Sequence, residues 1–186
     1  MNLDEVLDKR RALRSLDKVE ISDEDIYKLA QAASLAPSCF NNQPWNYIFV
    51  RDQQLIDQIV ESMPQGNQIW AQNASMIIGV FARKDDDCTL GDREYYLFDT
   101  GLATQNILLK ATEMGLVAHP IAGYDKKKSM EIMKISHDYN LITLLVVGKK
   151  AKQIYQNLSD KQQVTEEKRP SRKDLEEFVY FDKYEE

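Results

Sequence analysis

Apolar residues along the chain recur at two spacings, one typical of helices and the other of buried strands. The helical spacing is clearest after Ser22, which forms a capping-box pattern with Asp25. The apolar positions that follow are Ile26, Leu29, Ala30, Ala33 and Leu35. This pattern predicts a helix that ends before Pro37, because the residue preceding a proline avoids helical geometry. Similar patterns predict helices near residues 2–9, 54–63, 93–114 and 126–135.

Four apolar runs predict strands, at residues 45–50, 76–82, 116–121 and 141–147. The run at 76–82 is apolar and mostly β-branched, which is typical of a buried strand. Because helices and strands alternate without a regular repeat, the pattern indicates an α+β or α/β domain with several helices.

The predicted helix 93–114 is apolar nearly all round, so we expect it to be buried at the centre or covered by a second subunit. Residues 151–186 are polar and end in an apolar, aromatic group at 178–181. We therefore predict a core at 1–150 and an extended C-terminal arm at 151–186. The arm would belong to the same domain and dock on a partner subunit.

Composition narrows the class of protein. The chain has 186 residues and 24 basic against 30 acidic side chains, a formal charge of −6, so no general nucleic-acid binding is expected. Two cysteines, Cys39 and Cys88, exclude a disulfide-rich scaffold and a Cys₄ zinc site, and no metal site is predicted. No membrane span and no secretory leader is predicted, so we expect a cytoplasmic protein.

The seven glycines form neither the G-x-G-x-x-G nor the G-K-[ST] phosphate motif. Charged side chains would therefore have to hold any phosphorylated cofactor. The cluster Arg10, Arg11 and Arg14 around the small residue Ala12 suits that task, since guanidinium groups bind phosphate through paired hydrogen bonds. A solvated, basic helix end is the alternative. A second cluster, residues 168–173, leaves the same two interpretations open.

Residues 36–45 form a loop fixed by two prolines and rich in amides. Such groups suit the alternating acceptors and donor at the edge of a flavin ring, although a purely structural polar loop is equally consistent. The turn at 119–125 offers backbone N–H groups to a ligand, and Asp125 is a candidate helix cap. Cys39 with His119 as its base would define a thiol hydrolase, a hypothesis with no further support in the sequence.

Together these segments resemble the FMN-dependent nitroreductase family over nearly the whole chain. The resemblance rests on R-R-A-L-R at 10–14, A-P-S-C-F-N-N-Q-P-W at 36–45, D-T-G at 99–101, Q-N at 105–106, G-L at 115–116, P-I-A-G-Y-D at 120–125 and R-K-D-L-E-E-F-V at 172–179. It implies an α+β homodimer with a central mixed sheet, helices on both faces, exchanged C-terminal arms and FMN in the interface.

The resemblance also implies a role for each segment. Phosphate and ring contacts fall to Arg10, Arg11, Ala12 and Arg14. The partner subunit would contribute Pro37, Ser38, Cys39, Asn41 and Gln43. Backbone groups of the turn Pro120, Ile121, Ala122 and Gly123 would face the ring, and Arg172 with Lys173 or Arg169 would close on the phosphate. No side chain is expected to act as catalytic acid or base.

The activity implied is ping-pong hydride transfer from NADH or NADPH to a nitroaromatic, a quinone or a similar small oxidised acceptor. A flavoprotein that binds or senses FMN without turnover is the alternative. Ala12 stands at a position where many family members have Ser. Ala122 stands at a position where larger members often have an acidic residue. The chain is also short for the family, which implies that a helical insertion near the substrate pocket is missing.

Overall fold

The computed structural model describes residues 1–184. Its helices are α1 Leu3–Lys9, α2 Asp23–Ser34, α3 Gln53–Glu61, α4 Gln65–Ala71, α5 Tyr95–Glu113, α6 Lys126–Ile132 and α7 Asp160–Glu167. Its strands are β1 Leu16–Asp17, β2 Trp45–Val50, β3 Met76–Ala82, β4 Thr89–Leu90, β5 Arg93–Glu94, β6 Val117–Ile121 and β7 Asn140–Lys150.

The long strand β7 organises the main sheet, whose order is β1-β7-β3-β2 with β6 also paired to β7. β1 and β6 share one edge of β7, where Leu16 lies opposite Lys150 and Val117 opposite Gly148. The mixed sheet implied by the resemblance is wrong for the described part of the chain, since all its strand pairings are antiparallel. The apolar pattern could not reveal this, because a strand buried on both faces looks alike in either direction.

Two apolar clusters cover the two faces of the sheet. Successive residues of a strand point to opposite faces, so Ile77 packs into one cluster and Ile78 into the other. Helices α3, α4 and α6 cover the first face, where Trp70 is fully buried. Helices α2 and α5 cover the second face through Leu29 and Ile107, both also fully buried.

The strongly patterned elements are found as predicted. The capping box at Ser22 is formed, and the strands at 45–50 and 76–82 have the predicted bounds. Gly115 adopts φ +76° after α5, as expected of a residue that ends a helix. Leu35 is a correction to the predicted apolar stripe, because it lies beyond the end of α2 and is 78% exposed.

The C-terminal region departs from a simple extended arm. Leu158 is buried in the core and α7 forms at Asp160–Glu167, an element the polar sequence did not predict. Residues 174–184 form no hydrogen bond with any other part of the described chain. Residues 185–186 of the predicted arm lie outside the described residues. Among residues 1–184, no helix is long and apolar enough to cross a membrane.

Candidate functional site

The segment 10–14 meets the C-terminal region 165–172 and forms a cleft of about 230 Å³. Five guanidinium groups converge there although they come from opposite ends of the sequence. The cleft is lined by Arg10, Arg11, Ala12, Arg14, Thr165, Arg169, Pro170 and Arg172. The structure thus brings together the two basic clusters, residues 10–14 and 168–173.

Hydrogen bonds join the two walls of this cleft. The buried Glu166 carboxylate accepts the backbone N–H groups of Arg14 at 2.8 Å and Ser15 at 3.0 Å. Arg169 donates to the carbonyl oxygens of Arg10, at 3.0 Å, and Asp8. Arg11 donates to the Thr165 carbonyl and, at 3.4 Å, to a further carbonyl at the end of α7. Hydrogen bonds therefore hold the N-terminal and C-terminal walls of the cleft together.

Its electrostatics favour an anion. Five guanidinium groups and the single carboxylate of Glu166 give the cleft a formal charge of +4, in a chain whose net charge is −6. Burial lowers the pKa of Arg10, and the positive charges of Arg169 and Arg172 lower it further. A bound phosphate would relieve this repulsion and satisfy free guanidinium donors.

The predicted loop 36–45 is mostly exposed over residues 37–43, here called loop 37–43, and Cys39–Asn41 within it form a short 3₁₀ turn. The backbone N–H of Cys39 donates to the buried carboxylate of Asp99 on α5 at 2.6 Å. The Ser38 hydroxyl accepts the Gln43 N–H at 3.0 Å, and the Gln43 side chain donates to the Asn41 carbonyl at 3.1 Å. None of residues 37–43 lines the cleft of the same subunit.

Cys39 is joined to Cys88 in a disulfide, so it has no free thiol in this structure. His119 is buried in β6, stacked on Trp70, with Nδ1 3.0 Å from the Leu13 carbonyl oxygen. Burial lowers the pKa of His119 to about 4, chiefly by penalising the charged ring. The thiol-hydrolase hypothesis therefore lacks its nucleophile, and His119 serves the packing between β6 and segment 10–14.

The turn after β6 leaves two backbone N–H groups without a partner among the described residues. Ala122 is exposed, and no atom of residues 1–184 accepts the backbone N–H of Ala122 or Gly123. The Gly123 carbonyl accepts the Asn67 side chain at 3.0 Å, and a Cβ at Gly123 would lie 2.8 Å from that same amide nitrogen. A larger residue at position 123 would therefore have to displace the Asn67 amide from this hydrogen bond.

The candidate residues fall into three groups. Arg10, Arg11, Ala12, Arg14 and Arg172 share the cleft. A second group follows His119 directly and consists of Pro120, Ile121, Ala122 and Gly123. His119 itself is hydrogen-bonded to the carbonyl oxygen of Leu13. Pro37, Ser38, Cys39, Asn41 and Gln43 are held instead against α5 and the Cys88 segment. Lys173 is exposed and does not line the cleft.

The sequence pattern does not predict two further contributors, Glu166 and Thr165. They lie in a polar stretch where acids and hydroxyls are common, and no local signal separates a buried carboxylate from its solvated neighbours. The connection between Cys39 and Cys88 was also missed, since two cysteines 49 residues apart carry no pairing signal.

Comparison with known proteins agrees with this arrangement. The model of the nitroreductase family matches residues 7–74 and 60–149. A protein of Archaeoglobus fulgidus with the provisional name NADH dehydrogenase/NAD(P)H nitroreductase is 33% identical over 141 residues, which cover 75% of this chain and 79% of the relative. The chain therefore belongs to the nitroreductase family of oxidoreductases.

Two further comparisons extend over more of the chain. An oxygen-insensitive NADPH nitroreductase of Helicobacter acinonychis is 25% identical over 189 residues, covering 82% of this chain and 89% of the relative. A crystal structure of an oxidoreductase containing FMN superposes with a TM-score of 0.84 at 24% identity, covering 100% of this chain and 94% of its own. The predicted α+β fold of this family is thus confirmed.

Proposed function

We propose that this protein is an FMN-dependent oxidoreductase that transfers hydride from NADH or NADPH to a nitroaromatic, a quinone or a similar small oxidised acceptor. The proposal combines its family with the FMN that the structural neighbour contains. A ping-pong order follows if donor and acceptor occupy the same ring face in turn. The observation that carries the proposal is the five-arginine cleft.

The cleft fits the phosphate end of FMN rather than the whole cofactor. Its volume of about 230 Å³ is below the ~300 Å³ at which ligand pockets begin. Arg10, Arg169 and Arg172 would hold the phosphate, replacing the glycine loop that the sequence lacks. The flavin ring would then extend towards the turn after β6, which the bond between His119 and Leu13 holds beside the arginine segment.

Backbone groups would orient the ring. The unpaired N–H groups of Ala122 and Gly123 would donate to its acceptor atoms. The guanidinium of Arg14 would balance negative charge on the ring, since a fixed positive charge in a half-buried site stabilises charge that develops there. When bound, FMN supplies the hydride-accepting and hydride-donating centre, so the protein needs no acid–base pair of its own.

A second copy of the chain would complete the site. Loop 37–43 does not line the cleft of its own subunit, so its predicted cofactor contacts require the partner. Phe98 on α5 is 62% exposed and Phe181 in the C-terminal tip is 86% exposed. Exposed aromatic residues of this kind are typical of surfaces that another chain covers. We infer a homodimer in which segment 174–184 packs on the partner subunit.

Steady-state kinetics test the activity. The protein loaded with FMN is assayed for oxidation of NADH and of NADPH with a nitroaromatic or a quinone as acceptor, and parallel double-reciprocal lines identify ping-pong order. Turnover that needs donor, acceptor and FMN together supports the proposal. FMN binding without turnover for either donor would contradict it and favour a non-catalytic flavoprotein.

A further inference from the structure

The loop that carries the amide motif has an unusual backbone. Phe40, Asn41 and Gln43 have φ values of 48°, 59° and 51°, which lie in the left-handed region. Glycine and, less often, asparagine occupy this region, whereas a bulky aromatic residue such as Phe40 rarely does. Because Phe40 is also 86% exposed, its own packing does not hold this conformation. Strained conformations persist only where surrounding contacts impose them.

Those contacts come from two neighbouring segments. The disulfide joins Cys39 to Cys88 across 49 residues. The side-chain amide of Asn42 donates to the Asp87 carboxylate at 3.3 Å and lies 3.5 Å from the Cys88 sulfur. From the other side, Asp99 accepts the Cys39 N–H. The disulfide is the only covalent tie among these contacts.

One acidic side chain, Asp87, lies beside the two sulfur atoms. One carboxylate oxygen of Asp87 lies within 4.8 Å of both. The Asp87 Oδ2 atom is buried without a hydrogen-bond partner among the described residues. Burial raises the pKa of Asp99, and the charge of Asp87 raises it further.

Both cysteines are only partly buried, so a reagent can reach the bond. We propose that Cys39 and Cys88 are a reversible redox pair whose state sets the conformation of loop 37–43 and thereby the affinity for FMN. This inference rests on the proposed function, because it takes this loop to contact the cofactor. The disulfide form holds the loop in its left-handed conformation, and the dithiol form releases it from the Cys88 segment.

The exchange is a two-electron step. A reducing dithiol supplies two electrons and two protons, so the bond between the Cys39 and Cys88 sulfur atoms breaks and two S–H bonds form. The reductant is oxidised to its own disulfide. The reverse reaction requires a disulfide oxidant, which takes up the same two electrons and two protons.

The experiment compares one protein in two states. Wild-type protein is reduced with excess dithiothreitol, desalted under nitrogen and titrated with FMN. A matched sample is reduced in the same way, then reoxidised with oxidised glutathione before its titration. If the released loop occupies its binding conformation about one-tenth of the time, the Kd for FMN rises about tenfold on reduction. Reoxidation should restore the original Kd.

Variants separate the disulfide from other effects of the reagents. Cys88→Ser and Cys88→Ala should bind FMN as weakly as reduced wild type in either buffer. Thr89→Ala, at the exposed neighbouring position, should respond as wild type does. An equal Kd in both states of the wild-type protein would overturn the inference, as would thiol labelling of both cysteines in the oxidised sample.

A readout without FMN distinguishes this inference from the proposed function. Amide hydrogen exchange of residues 38–43 should be faster in the reduced protein than in the oxidised protein. Absence of FMN binding in both states would refute the proposed function. The exchange comparison would still decide whether the disulfide controls the loop, since equal exchange rates in the two states would refute the redox control.

Discussion

The carboxylate of Glu166 accepts the backbone N–H of Arg14 at 2.8 Å, although 152 residues separate the two in the chain. This bond and its companion to Ser15 fasten α7, whose Thr165 lines the cleft, to the arginine segment. Both oxygens of this buried carboxylate accept hydrogen bonds from backbone N–H groups. Removing it costs free energy, because those donors lose their partner where water cannot readily replace it.

We therefore expect Glu166→Ala to weaken FMN binding. Leaving buried donors unpaired costs about 1–3 kcal/mol, which corresponds to roughly a 5- to 150-fold loss of affinity if the cleft opens in consequence. Glu166→Gln keeps a carbonyl acceptor and should cost less. The matched control is Glu167→Ala, since Glu167 is exposed and contributes only its carbonyl. Equal losses at positions 166 and 167, measured by fluorescence titration, would contradict the assignment.

The arginines of the cleft should act through the phosphate. Arg10→Ala or Arg172→Ala removes one charged hydrogen-bond donor group, for which we expect a cost of about 1.5–3 kcal/mol and a weaker dependence of the Kd on salt. Arg93→Ala is the control, because Arg93 is exposed and lies outside the cleft. Titrations at two salt concentrations measure both effects. An unchanged Kd in both cleft variants would place the phosphate elsewhere.

His119 should make the fold sensitive to acid. Its pKa of about 4 in the folded protein lies below the ordinary value of 6.5, so the unfolded chain binds the proton first as the pH falls. Stability is then lost between pH 6.5 and 4, by about 2 kcal/mol between pH 7 and 5.

The check is urea denaturation at several pH values for wild type and His119→Gln. The variant should be less stable at pH 7, since it disturbs the contact with Trp70, but should lose this part of the pH dependence. The same slope with pH in both proteins would show that His119 is not responsible.

The C-terminal tip should contribute to the proposed homodimer. A chain truncated after Lys173 lacks exposed apolar residues such as Leu175, Phe178 and Phe181. Burying one such side chain contributes about 1.5–3 kcal/mol, so the dimer Kd should rise at least about tenfold. Sedimentation of both chains over a range of concentrations measures this, with circular dichroism as a control for folding. Identical dimer dissociation in both would exclude the tip from the interface.

The core elements of this fold could be predicted from the sequence because the patterns that encode them are local. The apolar runs of β2 and β3 and the capping box at Ser22 are each encoded within a few residues. Strand direction is not local, which is why the antiparallel pairing of β7 with β6 was missed. Helix α7 was missed because only Glu166 of its eight residues is buried.

Less of the candidate site could be predicted from the sequence. The sequence predicts Arg10 and Arg172 from two separate motifs, and only the fold shows that they line one cleft. Glu166 accepts a hydrogen bond from Arg14, which lies 152 residues away in the sequence, and the residues around Glu166 give no indication of this contact. The Cys39–Cys88 disulfide also depends on the tertiary arrangement, because the turn after β3 brings Cys88 to the loop.

The most direct test of the proposed site compares FMN with riboflavin, which lacks the phosphate, as ligands of the wild-type protein and of Arg10→Ala and Arg172→Ala. We expect wild type to bind FMN at least about a hundredfold more tightly, since two charged contacts of about 1.5–3 kcal/mol each depend on the phosphate. This preference should shrink in each arginine variant, while riboflavin affinity stays nearly constant. Equal affinities of wild type for FMN and riboflavin would contradict a phosphate in the five-arginine cleft.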